Sequence, residues 1–178
     1  MNPSRYPVVD HASRRRAWHL LAAVWFVLAV IGTASPIAQP ARALAGIAPV
    51  LYDLAADEVL GGHTIARHVG KTDRELADRL RREPQISAAS TYTDLVTARR
   101  VVAAALASSQ ARIRAWTAAS GMRPNLVVSY TEPGSRPIGR SLRRGTRVPT
   151  TASRATVVLR WLSRDRRWIV LTSYPEVR

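Results

Sequence analysis

The chain of 178 residues contains no cysteine. Disulfides, thiolate nucleophiles and Cys-based zinc sites are therefore excluded, and stability has to come from packing. Lysine is almost as scarce: Lys71 is the only one, against 26 arginines. Acidic residues number 12, leaving a formal net charge of +15. The usual nucleotide-binding and hydrolase signatures are missing too. No Walker loop, GxGxxG run, HExxH helix or nucleophile-elbow pentapeptide occurs. There is no internal repeat.

What remains is a strongly basic chain, long enough for one ordinary domain plus an appendage. An arginine surplus can reflect codon bias alone. A guanidinium nevertheless pairs bidentately with phosphate oxygens, so the excess favours a polyanionic partner, either nucleic acid or an anionic membrane surface.

Arg14, Arg15 and Arg16 precede residues 17–34, an apolar run without a charged side chain. A positive flank before an apolar core is the pattern of a signal peptide or a membrane anchor, and this run is at the lower limit for spanning a bilayer. Ala41-Arg42-Ala43 and Gly32-Thr33-Ala34 each fit a small-x-small cleavage site. Residues 1–34 are thus expected to be a cleaved signal or a retained anchor. Residues 35–49, with Pro36, Pro40 and Pro49, read as a linker. In either case the domain over residues 50–178 is expected outside the cytoplasm, and it contacts the membrane through the N-terminal helix if that helix is kept.

Within that domain, residues 51–60 have helical spacing and end at Gly61-Gly62. Residues 63–69 read as a short helix or tight turn. Thr72 and Glu75 form a capping-box pair opening a helix that runs to about Arg82. Residues 86–92 are a short extended candidate. Residues 93–118 form the longest helix, with an apolar stripe including Val101, Val102 and Ile113 and a solvated face carrying Arg99, Arg100, Arg112 and Arg114. After Gly121 the pattern turns to strands at 125–131, 155–162 and 168–174, the last two joined by a turn at 164–167. An Arg-rich segment, 139–146, lies between them. Helices first and antiparallel strands after predict an α+β domain, its helices packed on the sheet.

The run at residues 61–72, GGHTIARHVGKT, holds His63 and His68, the two imidazoles downstream of the N-terminal segment. Imidazole is the side chain suited to moving protons near neutral pH. With so many arginines nearby in sequence, the pairing suggests phosphodiester chemistry without a metal. A five-residue spacing does not align two histidines on a regular helix, so neither a metal nor another cofactor is expected. A lone histidine pair is more often structural, packing or capping a helix turn.

GGHTIARHVGKT, followed by LADRL, AAST, a long Ala-rich helix and a terminal LTSYP, resembles the bacterial RNase A-like domain at the C-terminal ends of contact-dependent growth-inhibition and related polymorphic toxins. The resemblance covers about residues 56–178. It implies a curved antiparallel sheet with N-terminal helices, like pancreatic ribonuclease without its disulfides, and metal-independent cleavage of RNA. It also implies an immunity protein as a possible partner. The implied site is a histidine of the HTIxxHVGKT run, an arginine one helix downstream, and the Thr and Tyr of the terminal T-x-Y. Those map to His68 or His63, Arg79 or Arg74, Thr172 and Tyr174. Both His–Arg pairs are separated by eleven residues; His68 with Arg79 is favoured because Arg79 lies in LADRL. The family's domains commonly end very large secreted proteins, whereas here a short chain carries the domain, which leaves the delivery route open.

The residue types suit the chemistry. Cleavage by a 2′-hydroxyl needs a base, an acid for the leaving 5′-oxygen, and fixed positive charge on the phosphorane. Strand alternation puts Thr172 and Tyr174 on one face and Ser173 on the other, although an ordinary half-exposed strand pair would look the same. The expected activity is that of an exported toxin-type endoribonuclease acting on RNA. The alternative is a noncatalytic basic module that binds nucleic acid or anionic membrane.

Overall fold

The structure, a computed structural model, describes residues 50–177. The expected signal or anchor helix and the linker lie outside the described residues. Among those described, no helix is long and apolar enough to cross a membrane.

The expected α+β class is observed, as helices with antiparallel strands. Three helices come first: α1 (Leu54–Val59), α2 (Thr64–His68) and α3 (Asp73–Arg82). Strand β1 (Ala88–Tyr92) leads into α4 (Leu95–Ser108) and α5 (Gln110–Ala118), and the remaining strands are β2 (Leu126–Thr131), β3 (Gly139–Arg143), β4 (Thr150–Ala152), β5 (Arg154–Leu162) and β6 (Arg167–Glu176). Instead of one curved sheet there are two three-stranded ones, ordered β1-β3-β4 and β2-β5-β6. They are stitched where β4 runs into β5 and where the Tyr92 hydroxyl meets Ser173 Oγ at 2.6 Å in the buried interior.

The Thr72–Glu75 capping box forms as expected, each side chain serving the other's backbone amide. It starts α3, whose Leu76 and Leu80 sit one turn apart and bury against Ala89 of β1 and Leu142 of β3. The long helix is broken: Ser109 caps both α4 and α5, its amide bonding back to Leu106 carbonyl. Two adjacent serines supply hydroxyls that compete for backbone groups, and Ser108 Oγ does donate to Ala105 carbonyl. The apolar stripe of α4, with Val101, Val102 and Ala105, packs on Val128, Ala155, Val157, Leu159 and Val170.

The Arg-rich segment, to which the sequence pattern assigns no element, contains strand β3, and its arginines staple the fold. Arg140 binds Asp73 at 2.6 Å and Lys71 carbonyl, while Arg144 donates to the carbonyls of Leu80, Glu83 and Ile86 at the end of α3. The supposed solvated face of α4 is committed as well, Arg100 bonding the buried Glu132 and Arg99 the carbonyl of Tyr52. At Gly139 the two strands approach so closely that any β-carbon would run into the backbone carbonyl of Thr91.

Register along β5 and β6 decides the site. Ala155, Val157 and Leu159 face the core, so Arg154, Thr156 and Val158 face away. Their partners on β6 are Glu176, Tyr174 and Thr172. Leu171 is an extra residue, because Val158 pairs Thr172 and Leu159 pairs Val170. This bulge turns Thr172 and Tyr174 onto the face opposite the core residue Val170.

Candidate active site

A cavity of about 1120 Å³ opens on that face of β6. His63, His68, Arg79, Thr172 and Tyr174 all line it. Arg74 does not. It is exposed on α3, five residues before Arg79, and at 3.6 residues per turn that offset is about 140° around the axis.

Each group is held by identifiable neighbours. Glu58 of α1 accepts from the amides of Ile65 and Ala66, which caps α2 and leaves the His63 side chain uncommitted at the N-cap position. The His63 amide donates to the carbonyl of the bulged Leu171 at 2.9 Å, fastening the start of α2 to β6. The turn before it needs Gly62, where a β-carbon would strike the carbonyls of Val170 and Asp57.

His68 closes α2 and is buried, 6% exposed. Its Nδ1 lies 3.0 Å from the carbonyl of Ser90, which can only accept, so Nδ1 carries the proton and Nε2 keeps its lone pair. Arg79 Nη1 stands 3.5 Å from that Nε2, while its Nε pairs with Glu83 at 3.3 Å and Nη1 also reaches Arg67 carbonyl. The Tyr174 ring lies against the imidazole, centroids 5.4 Å apart. Thr172 Oγ1 is buried with no hydrogen-bond partner.

Burial, reinforced by Arg79, His63 and Arg67 against the bond to Ser90, lowers the His68 pKa to about 3. His63 is lowered too, by burial and then by Arg67, with Glu58 working the other way. Burial and then Glu176 raise Tyr174, opposed by a hydrogen bond from Thr156. At neutral pH both imidazoles are therefore neutral and the phenol is protonated. Among the described residues no group of three or more His, Asp or Glu side chains could hold a metal ion.

The His68 shift has a consequence for stability. Unfolded, the imidazole takes a proton near its ordinary 6.5; folded, it does so only near 3. Between those values the unfolded chain binds more protons, so this contribution leaves stability intact above about pH 6.5 and erodes it as pH falls toward 3. Urea unfolding at pH 7.5 and 4.5 should show a marked loss in the wild type and a smaller one in His68→Gln. Equal losses would assign the acid lability to other groups.

The model of the bacterial CdiA-CT RNase A domain matches residues 62–175. The chain belongs to this family. A solved structure, the CdiA-CT/CdiI complex from Y. kristensenii, is 32% identical, with a TM-score of 0.57, over 65% of this chain and 100% of that one. No curated protein matches the chain. Membership makes residues 62–175 an RNase A-like domain of the ribonuclease-toxin type. The CdiA-CT RNase A match begins at Gly62 and ends at Pro175, which takes in His63, His68, Arg79, Thr172 and Tyr174.

Several contributors carry no local signal in the sequence. Ser90 orients His68, Glu58 frees His63, Thr156 bonds Tyr174, and Arg154 and Glu176 join the cavity wall. Only the period-two placement of Thr156 and Arg154 on β5, opposite Tyr174 and Glu176, hints at them once the hairpin register is known.

Proposed function

We propose that this domain is an endoribonuclease cleaving RNA by metal-independent transphosphorylation. One observation carries the reading. A single cavity gathers a buried neutral imidazole, a guanidinium beside its unprotonated nitrogen, and a Thr–Tyr pair turned toward them by a bulge. His68 Nε2 takes the proton of a 2′-hydroxyl, whose oxygen bonds to phosphorus as the bond to the 5′-oxygen breaks. Tyr174 gives its proton to that departing oxygen, because neither neutral imidazole has one to spare. Arg79 and the unpaired Thr172 hydroxyl hold the charge on the phosphorane oxygens. The products are a 2′,3′-cyclic phosphate and a 5′-hydroxyl, and solvent returns a proton to Tyr174 and removes one from His68. His63 is the second imidazole within reach, available to relay protons between the site and water.

Incubation with total RNA in excess EDTA is the direct test. Fragments ending in 2′,3′-cyclic phosphate are expected at undiminished rate, and activity that disappears with EDTA and returns with a divalent cation would overturn the mechanism.

We extend two further features to this chain. The Arg14–Arg16 flank and the apolar run direct the domain out of the cytoplasm, as a secreted or membrane-anchored toxin. A reporter fused after Arg178 is expected to be active outside the cytoplasm, and activity confined to the cytoplasm would refute export. By analogy with the CdiA-CT/CdiI complex, an immunity protein binds and silences the domain in the producing cell.

A further inference from the structure

The arginines of the cavity differ in how far they are committed. Arg79 is paired with Glu83 and contacts His68, and Arg144 is used by three carbonyls. Arg143 also has a partner. Arg154 is different. It is half-buried at the first position of β5, its Nε is sealed from water without a partner, and its guanidinium makes no hydrogen bond or ion pair among the described residues. Its cross-strand partner Glu176 also lines the cavity and forms no ion pair with it among those residues. A guanidinium brought partly out of water with its donors unmatched is costly, and native structures seldom leave such a group without a ligand.

Its position points to the ligand. Arg154, Thr156 and Val158 alternate along the face that carries Glu176, Tyr174 and Thr172. Arg154 is therefore level with Glu176, four residues and roughly 13 Å of strand beyond Thr172. At about 1120 Å³ the cavity exceeds the roughly 300–1000 Å³ of ordinary small-molecule sites, leaving room past the reacting groups for more than one nucleotide.

We propose that Arg154 binds a backbone phosphate of the RNA strand, the one adjacent to the phosphate held by Arg79 and Thr172. The inference rests on the ribonuclease reading for the strand's identity, but not on turnover for its test. The fork of Arg154 meets two nonbridging oxygens of that phosphate. Cleavage of a longer strand then draws on a contact that a single phosphodiester cannot make.

Binding of a 2′-deoxy pentanucleotide, which lacks the attacking hydroxyl, separates the two claims. Affinity is measured from low to moderate salt for the wild type, Arg154→Gln and Arg154→Lys. For Arg154→Gln we expect a roughly ten- to hundredfold loss at low salt. The salt slope should be shallower by about 0.7, the value for one lost phosphate contact on a single strand. Arg154→Lys should keep the slope, and the loss on a dinucleotide with one phosphate should be several-fold smaller than on the pentanucleotide. Arg154→Met, which preserves the aliphatic stem, should repeat the loss if Arg154→Gln melts early. An unchanged slope, or an equal loss on both ligands, would overturn the proposal. A wild type that binds the pentanucleotide with the expected Arg154 dependence but never cleaves RNA would instead refute the ribonuclease reading and leave this site standing.

Discussion

Alanine at His68 is expected to lower RNA cleavage by about a hundredfold or more while the domain stays folded, the usual consequence of removing a general acid–base group. The imidazole is placed for proton transfer rather than for filling space. Its Nδ1 is locked on Ser90 carbonyl and its Nε2 faces Arg79 in the cavity. Because burial holds the group neutral down to about pH 3, the rate should show no ordinary histidine limb near pH 6.5. Single-turnover cleavage of a defined oligonucleotide, paired with thermal melting, checks both points. If His68→Ala is nearly normal and His63→Ala is inactive, the base is His63; if both are normal, imidazole catalysis is ruled out.

Arg79→Lys should cost about a hundred- to a thousandfold in single-turnover rate while RNA affinity changes only a few-fold. That is the scale reported for removing one donor that stabilises a developing oxyanion. Lysine keeps the charge but loses the planar fork, and the fork here is engaged on three sides, with Glu83, the carbonyl of Arg67 and His68 Nε2. A point charge on a flexible stem cannot hold that orientation and present donors to a phosphorane as well. Arg74→Lys, changing an exposed residue outside the cavity, should behave like the wild type. Thr172→Ala and Tyr174→Phe should lose rate more than affinity, since each removes one polar group and keeps the strand's packing. Equal loss of affinity in all of these variants with rate preserved would show that the residues only bind phosphate, and the basic-module reading would then hold.

Much of the fold is visible in local pattern. The capping box at Thr72 and Glu75, the short helix after Gly62 and the turn between β5 and β6 depend on contacts within a few residues, where side-chain type decides the backbone. The β2 and β5 strands show in their β-branched composition, although they pair across more than twenty residues. The break at Ser109 and strands β3 and β4 are not visible in this way. The first turns on two serines inside an otherwise helical stripe, while β3 pairs with β1 some fifty residues away and β4 pairs with β3, the arginines in and just after β3 serving as staples to α3. The run that identifies the family was likewise legible, and so were the residue types of the site.

What the sequence by itself determined was the inventory: two usable imidazoles, a surplus of guanidinium groups, and a T-x-Y whose alternation puts Thr172 and Tyr174 on one face. It could not say which face. Counting by twos from the core residue Val170 would send Thr172 and Tyr174 into the interior. The bulge at Leu171, held by the His63 amide, reverses that parity. Nor did spacing separate the two His–Arg pairs, and only the LADRL resemblance favoured His68 with Arg79. That choice is made by the packing of Leu76 and Leu80 on β1 and β3, which rotates α3 so that Arg79 meets His68 and Arg74 meets solvent. Both decisions belong to the tertiary structure because each depends on a hydrogen bond or an apolar contact between segments that have no knowledge of one another until the chain is folded.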